Sequence, residues 1–216
     1  MFEHHREKKA QEQYQAALAQ WQTQRDSTAH LLELAQTFPG ESSSEIMLKA
    51  DEGVFAKVTG ASLVEERRGA GHYTGHSSGV SIPVGSLGGH QVRYRVGATR
   101  GHFVQGDPVP TSIDTGTLYV TNQRVIFQGG RQTRECLFAK LVGFQHDPAG
   151  STTFSVSNRQ KPTTVHYGTK VAGWVDFRLD LALAHYRSTL PALVARLQAD
   201  LAQYAQTEPV APVVAG

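Results

Sequence analysis

Hydrophobic and polar positions along this chain change period twice, and each change marks a new element. From residue 3 to 38, Tyr14, Leu18, Trp21, Arg25, Thr28, Leu32 and Ala35 recur in alternating steps of four and three. That is the spacing of a helical stripe with coiled-coil character. Gln, Ala, Glu, Lys and Leu dominate the segment, and neither Gly nor Pro interrupts it before Pro39-Gly40, so a helix is predicted over 3–38. Only the ends of the stripe are apolar. A short stripe of this kind can dock on the rest of the chain or on a second copy, with Trp21 as the natural anchor. Asp26-Ser27-Thr28 leaves a helical hairpin open as the alternative to a straight helix.

After a polar linker over 40–50 the period falls to two. Val54 to Val58 begins a strand region, and Ala61 to Glu65 continues it beyond Gly60. Val92, Tyr94 and Val96 alternate with Arg93 and Arg95, which places the two sets on opposite faces of a strand. Leu118 and Val120 alternate likewise. Thr121-Asn122-Gln123 supplies turn chemistry, with Asn122 expected to take a left-handed backbone. Arg124 to Phe127 is the return strand of a hairpin, with Val125 and Phe127 pointing inward. Glu135–Phe138, Leu141–Gln145, Thr153–Val156 and Val165–Tyr167 read as further short strands, separated by turns at 147–150 and 158–162. Closely spaced antiparallel strands of this kind predict a barrel or sandwich. From Val171 the helical period returns: Leu179, Leu183, Tyr186, Leu190, Leu193, Leu197, Leu201 and Tyr204 form one stripe. Pro191 either kinks that helix or starts a second one in its first turn. Residues 207–216 form a loose, proline-containing tail.

Charge sharpens this picture. Residues 1–50 hold 5 Lys/Arg against 7 Asp/Glu, residues 51–170 hold 13 against 8, and residues 171–216 hold 3 against 4. The middle of the chain is therefore basic, and arginine supplies most of it. Guanidinium groups suit bidentate contact with phosphate or carboxylate. Ion pairing with Glu65, Glu66 and Glu135 is the structural alternative. A surplus of five charges over 120 residues is modest for a nucleic-acid binder, and nucleic acid is not the expected partner. The lone Cys136 excludes an internal disulfide framework and fits a reducing cytoplasm. No apolar run approaches the roughly 18 residues of a membrane span. The charged start MFEHHREKK has no apolar segment behind it and is not expected to be a signal peptide.

The stretch Gly116-Thr-Leu-Tyr-Val-Thr-Asn-Gln-Arg-Val-Ile-Phe127, followed by Arg131–Phe138 and by Ala139-Lys-Leu-Val-Gly-Phe144, resembles bacterial PH-like and GRAM-like domains. The resemblance covers about 115–180, extends plausibly back to 51, and leaves out 1–45 and 207–216. It implies an antiparallel barrel closed at one end by the helix that follows the last strand, with Trp174 and Phe177 near that helix's start. Residues 66–115 are longer and richer in Gly and His than such a domain needs, and no lysine-rich phosphoinositide loop is present. Fold is implied more than ligand, since one fold hosts many functions.

Candidate chemistry is sparse. The segment Arg67-Arg68-Gly69-Ala70-Gly71-His72-Tyr73-Thr74-Gly75-His76 combines glycine backbone, which can approach an anion closely, with two guanidinium groups. It lacks the Lys-Ser/Thr of a phosphate-binding P-loop and the third glycine of a dinucleotide fingerprint, and reads first as a long flexible hairpin loop. His72, His76, His90 and His102 fall in the same Gly-rich region, but no metal-ligand motif accompanies them. Cys136 alternates with apolar neighbours and reads as a buried structural thiol. Asp107 and Asp114 read as turn residues.

The sequence thus predicts an α+β protein: an N-terminal helix over 1–40, a PH/GRAM-like antiparallel β-barrel with a long C-terminal helix over 48–206, and a tail over 207–216. No enzyme activity, cofactor or metal is expected. The leading expectation is a non-catalytic, cytoplasmic binding or adaptor module that meets a protein partner, or a second copy, through Tyr14, Leu18 and Trp21. The alternative is peripheral binding to anionic lipid headgroups through Arg67, Arg68, Arg93, Arg95 and Arg100. A metal-dependent enzyme using the four histidines is a weaker third reading.

Overall fold

Helix α1 (Phe2–Thr37) runs unbroken through Asp26-Ser27-Thr28, because Thr23, Ser27 and Thr28 return their hydroxyls to carbonyls four residues earlier and leave the helical ladder intact. In this computed structural model the described residues are 2–70, 72–87, 90–104 and 107–212, with side chains described for 5, 7–70 and 107–212. The helix stops where the sequence says it should. Gly40 takes a positive φ of 93° just past the last turn, and a side chain there would meet the Phe55 ring at 2.9 Å.

Among the described residues nine strands follow: β1 (Val54–Arg68), β2 (His72–Leu87), β3 (His90–Val104), β4 (Pro108–Thr121), β5 (Arg124–Gly129), β6 (Thr133–Leu137), β7 (Leu141–Asp147), β8 (Ser151–Val156) and β9 (Thr163–His166). Seven of them form one antiparallel sheet in the order β6-β5-β4-β1-β9-β8-β7, and β2 pairs only with β3. The chain divides into two units, one of residues 1–63 and 114–216, the other of residues 64–113. The first is the body, with the helices and most of the sheet. The second contains the β2–β3 ribbon, and β1 and β4 contribute residues to both.

The sheet is open, so the closed barrel expected from the sequence is not formed. Its edges, β6 and β7, are separated in the chain by a single 3₁₀ turn at Phe138–Lys140. The Glu135 carbonyl on β6 receives the Arg159 guanidinium at 3.4 Å. The helical stripe at the C-terminus is likewise two helices: α2 (Ala172–Tyr186) and α3 (Leu190–Gln206). Pro191 lies in the first turn of α3, where its missing N–H costs nothing.

The core lies between the inner face of the sheet and α2. Leu63, Leu118, Val120, Val125, Phe127, Phe154 and Val165 of the sheet and Val175, Leu179 and Leu181 of α2 are all buried. Val125 and Phe127 point inward as their alternation required. Cys136 is buried as well, and burial pushes its thiol above the usual range. Helix α1 packs on α3: Trp21 is 9% exposed and its indole Nε1 donates to the Tyr204 carbonyl at 3.0 Å. Arg25, which interrupts the apolar stripe, sits 5.1 Å from the Trp21 ring centroid and pairs with Asp26 at 2.8 Å. The polar member of the stripe thus caps the apolar one.

Gly150 is the most constrained turn residue of the body. It has a φ of 86°, and a Cβ there would fall 2.2 Å from the Gly168 carbonyl carbon and 2.6 Å from the Thr169 nitrogen. Its N–H bonds Asp147, and its carbonyl accepts from both Tyr167 and Gly168. Gly150→Ala is expected to destabilise the protein by about 3 kcal/mol, read as a lower urea midpoint at unchanged slope. An unchanged midpoint would mean that the β7–β8 turn relaxes freely.

Candidate functional site

The Thr121-Asn122-Gln123-Arg124 stretch, the most family-like part of the sequence, is occupied with holding the chain itself. Its four side chains reach back across the outer face of the sheet to residues 47–53. Arg124 Nε donates to Glu52 Oε1 at 2.7 Å and its Nη2 to Glu52 Oε2 at 2.9 Å. The same Nη2 reaches the Met47 carbonyl at 2.7 Å, and Nη1 pairs with Glu135. Thr121 Oγ1 donates to Glu52 Oε1 at 2.7 Å, and the Lys49 amide donates to Oε2 at 2.8 Å. Asn122 accepts from the Gly53 amide at 3.0 Å and donates to the Asp51 carbonyl at 2.9 Å. Gln123 donates to the Ala50 carbonyl at 2.9 Å.

Asn122 does this without the left-handed backbone expected of it. Among the described residues, only Asp51 and Ser188 are non-glycine positions with positive φ. The clamped segment lays Ile46 and Leu48 over Val54, Tyr119 and Ile126, so β4 is buried on both faces at this end. Tyr119 donates to Glu45 at 2.6 Å, and burial together with that carboxylate pushes its phenol up to about 12.

Other polar clusters also serve packing. Asp114 accepts the amides of Arg131, Gln132 and Thr115, which hold its carboxyl below the usual range and shape the β5–β6 turn. His146, Thr152, Tyr167 and Asp176 join β7, β8 and α2. Tyr167 donates to Asp176 at 2.9 Å, and both Asp176 and Thr152 lie 2.8 Å from His146 Nδ1. A nucleophile–base–acid relay needs its hydroxyl on the other ring nitrogen. His146 Nε2 is instead buried without a partner, so this is a joint and not a triad.

Arg178 stacks over Phe38 at 4.2 Å and lies 5.6 Å from the Trp174 ring. Its Nε and Nη1 are buried without hydrogen-bond partners, and burial lowers its pKa. Those nitrogens are closed to a ligand by the rings that cover them. An open groove of about 360 Å³ between α2 and α3 has an apolar floor including Leu183, Ala184 and Leu193, with Asp180, Arg187 and Arg196 along it. Among the described residues no group of His, Cys, Asp or Glu is arranged to hold a metal ion. His72, His76, His90 and His102 lie outside the residues whose side chains are described.

The basic set expected to bind anions maps onto the second unit. Arg67 and Arg68 end β1 and are exposed; as consecutive strand residues they fall on opposite faces. The segment expected to be a flexible loop, 67–76, instead ends β1 and begins β2, which with β3 forms a ribbon of two strands, 16 and 15 residues long, and the strand expected around Val92–Val96 lies within β3. A continuous ladder runs from His72↔Val104 to Leu87↔His90, with one register shift between Pro83 and Gly85. Ser81 pairs with Arg95 and Pro83 with Arg93, while Val80 pairs with Val96 and Ile82 with Tyr94. Directly paired residues share a face. Arg93 and Arg95 therefore share one face, and Val80, Ile82, Tyr94 and Val96 share the other. Arg100, paired with His76, falls on the face of the apolar set.

Composition makes the ribbon stand apart. Residues 67–106 contain five Arg, four His and no Asp or Glu. That gap was legible in the sequence as a forty-residue run without a carboxylate, but a net charge taken over 51–170 averages it away. Of the helix residues expected to meet a partner, Tyr14 and Leu18 are half-buried, and Trp21 is engaged by α3 of its own chain.

No family model, curated protein or solved structure matches this chain.

The Arg124–Glu52 pair is open to direct test. The Glu52 side chain is fully covered and that of Arg124 is 12% exposed. Burial pushes the Glu52 carboxyl up, but hydrogen bonds from Arg124, the Lys49 amide and Thr121 outweigh it and leave the pKa lowered. A carboxylate depressed on folding stabilises above its unfolded pKa of about 4.3 and loses that contribution as pH falls through the lower folded value. Glu52→Gln is expected to cost about 3 kcal/mol near neutral pH and to flatten the loss of stability below about pH 4.3. Denaturant titrations at several pH values would show it, and equal acid sensitivity in both proteins would remove Glu52 from this role.

Proposed function

We propose that this chain is a non-catalytic binding module whose binding element is the β2–β3 ribbon, and that its partner is an anionic membrane surface. The observation that carries this reading is the sorting of the acid-free ribbon: Arg93 and Arg95 share one face, while Val80, Ile82, Tyr94 and Val96 share the other, which also carries Arg100 farther from the Leu87–His90 end. A surface of one charge sign attracts its opposite over about a Debye length. Among the described residues of its unit the elements are strands, and a two-stranded ladder gains stability by laying an apolar face on something else. A bilayer interface takes both faces at once: anionic headgroups meet guanidinium groups, and the acyl boundary takes Val80, Ile82, Tyr94 and Val96.

A protein partner meeting the helices is less well supported, since Trp21, the strongest anchor, is occupied within the chain. Among the described residues no helix is long and apolar enough to cross a membrane, and the reading requires none.

The PH/GRAM resemblance belongs to the same proposal. With the ribbon set aside, the remaining strands renumbered in chain order read 4-3-2-1-7-6-5 across the sheet, two meanders joined through the first strand and followed by a helix. That arrangement is in keeping with a PH-like sheet carrying an insertion between its first two strands.

Co-sedimentation of the full chain with phosphatidylcholine vesicles, with and without about 30% phosphatidylglycerol, tests the reading. Binding is expected only to the anionic set and is expected to weaken several-fold between about 50 and 300 mM salt. Arg93→Glu with Arg95→Glu should abolish it while leaving the far-ultraviolet circular dichroism unchanged. Salt-independent binding, or equal binding to neutral vesicles, would overturn the electrostatic part; no binding to either would return the search to a protein partner.

A further inference from the structure

The ladder sorts the ribbon's histidines in a way their sequence spacing does not. His72 and His76 flank Thr74 on β2, Thr74 pairs directly with His102, and His76 pairs directly with Arg100. His72, His76, His102 and Arg100 therefore share one face, with His102 diagonal to both β2 histidines; it is the face of Val80, Ile82, Tyr94 and Val96, which lie nearer the Leu87–His90 end of the ladder, while the histidines and Arg100 lie toward its other end. His90 pairs with Leu87 at the opposite end of the ladder.

The charged groups of this unit are few. Arg93 and Arg95 are on the other face of the ribbon. Glu65, Glu66, Arg67 and Arg68 lie at the end of β1, and Asp107 directly precedes β4. Nothing between Arg67 and Gly106 is a carboxylate. An imidazole ordinarily takes up a proton in mild acid, near pH 6.5.

We propose that His72, His76 and His102 make the ribbon's membrane contact pH-sensitive, strengthening it as the medium becomes mildly acidic. The inference rests on the membrane reading above. The sign follows from linkage. An anionic surface stabilises the imidazolium, so the pKa of each histidine is higher when bound than when free, and affinity rises as pH falls through that interval. Three added charges at the surface are expected to tighten binding by at least about ten-fold.

The test uses the full chain and phosphatidylglycerol-containing vesicles, whose phosphodiester keeps its charge, at about pH 7.5 and about pH 5.5. A chelator is present so that metal bridging by the same imidazoles does not contribute. The expected result is a ten-fold or greater gain in affinity at the lower pH. His72→Gln/His76→Gln/His102→Gln should keep the affinity seen at neutral pH and lose most of the gain, while His90→Gln should keep most of it. Circular dichroism at both pH values checks that each variant stays folded. Equal wild-type affinity at the two pH values overturns this inference and leaves the membrane reading standing. A full gain in the triple variant also overturns it and moves the effect to other histidines. Absence of wild-type binding at both pH values overturns the membrane reading and this inference together.

Discussion

One buried ion pair organises the body of this protein. Arg124 leaves the β4–β5 turn and meets Glu52, whose side chain is fully covered, so the pair is formed where water contributes little. Burying two charges is expensive unless further hydrogen bonds satisfy their remaining donors and acceptors, and all three Arg124 nitrogens and both Glu52 oxygens are engaged here. Thr121 and the Lys49 amide complete Glu52, while Glu135 and the Met47 carbonyl complete Arg124. The pair fixes the path of residues 45–53, and that path covers the outer face of β4 with Ile46 and Leu48. A strand that an open sheet would otherwise show to solvent on one side is thereby buried on both.

This use of Arg124 has a consequence for function. The residues that look most like a recognition motif are consumed by intramolecular bonds, so a ligand for the body would have to break a satisfied network to reach them. Asp114 is likewise engaged in its turn, and Arg178 is packed against Phe38. The part of the chain with charge to spare is residues 67–106, where five arginines, three of them on the ribbon, occur without a single carboxylate. The two units thus differ in charge: the body engages Arg124, Glu52 and Asp114 in internal bonds, and the other unit carries a run without a carboxylate.

Helix α1 shows how far a stripe can be read. Its start, its stop at Pro39-Gly40 and its buried positions were legible, because a 3.6-residue period and a glycine just past the last turn are local properties. Its partner was not. Whether Trp21 meets a second copy or α3 of its own chain depends on where α3 lies, and that is set by the sheet on which α2 packs.

The sequence by itself determined the α+β class, the order of helix, strands and helices, the inward face of β5 through Val125 and Phe127, and the burial of Cys136. Each of these follows from short-range periodicity and hydrophobicity. Three things were decided only by tertiary structure. The sheet stays open because β6 and β7 do not pair, a matter of strand spacing across the whole sheet. Arg124 serves the fold because Glu52, 72 residues away in sequence, folds back onto it. The histidines and arginines of 67–106 are sorted by face because a ladder register assigns each residue a partner. Periodicity gives a residue its side of one strand, but only pairing across strands says which residues stand together.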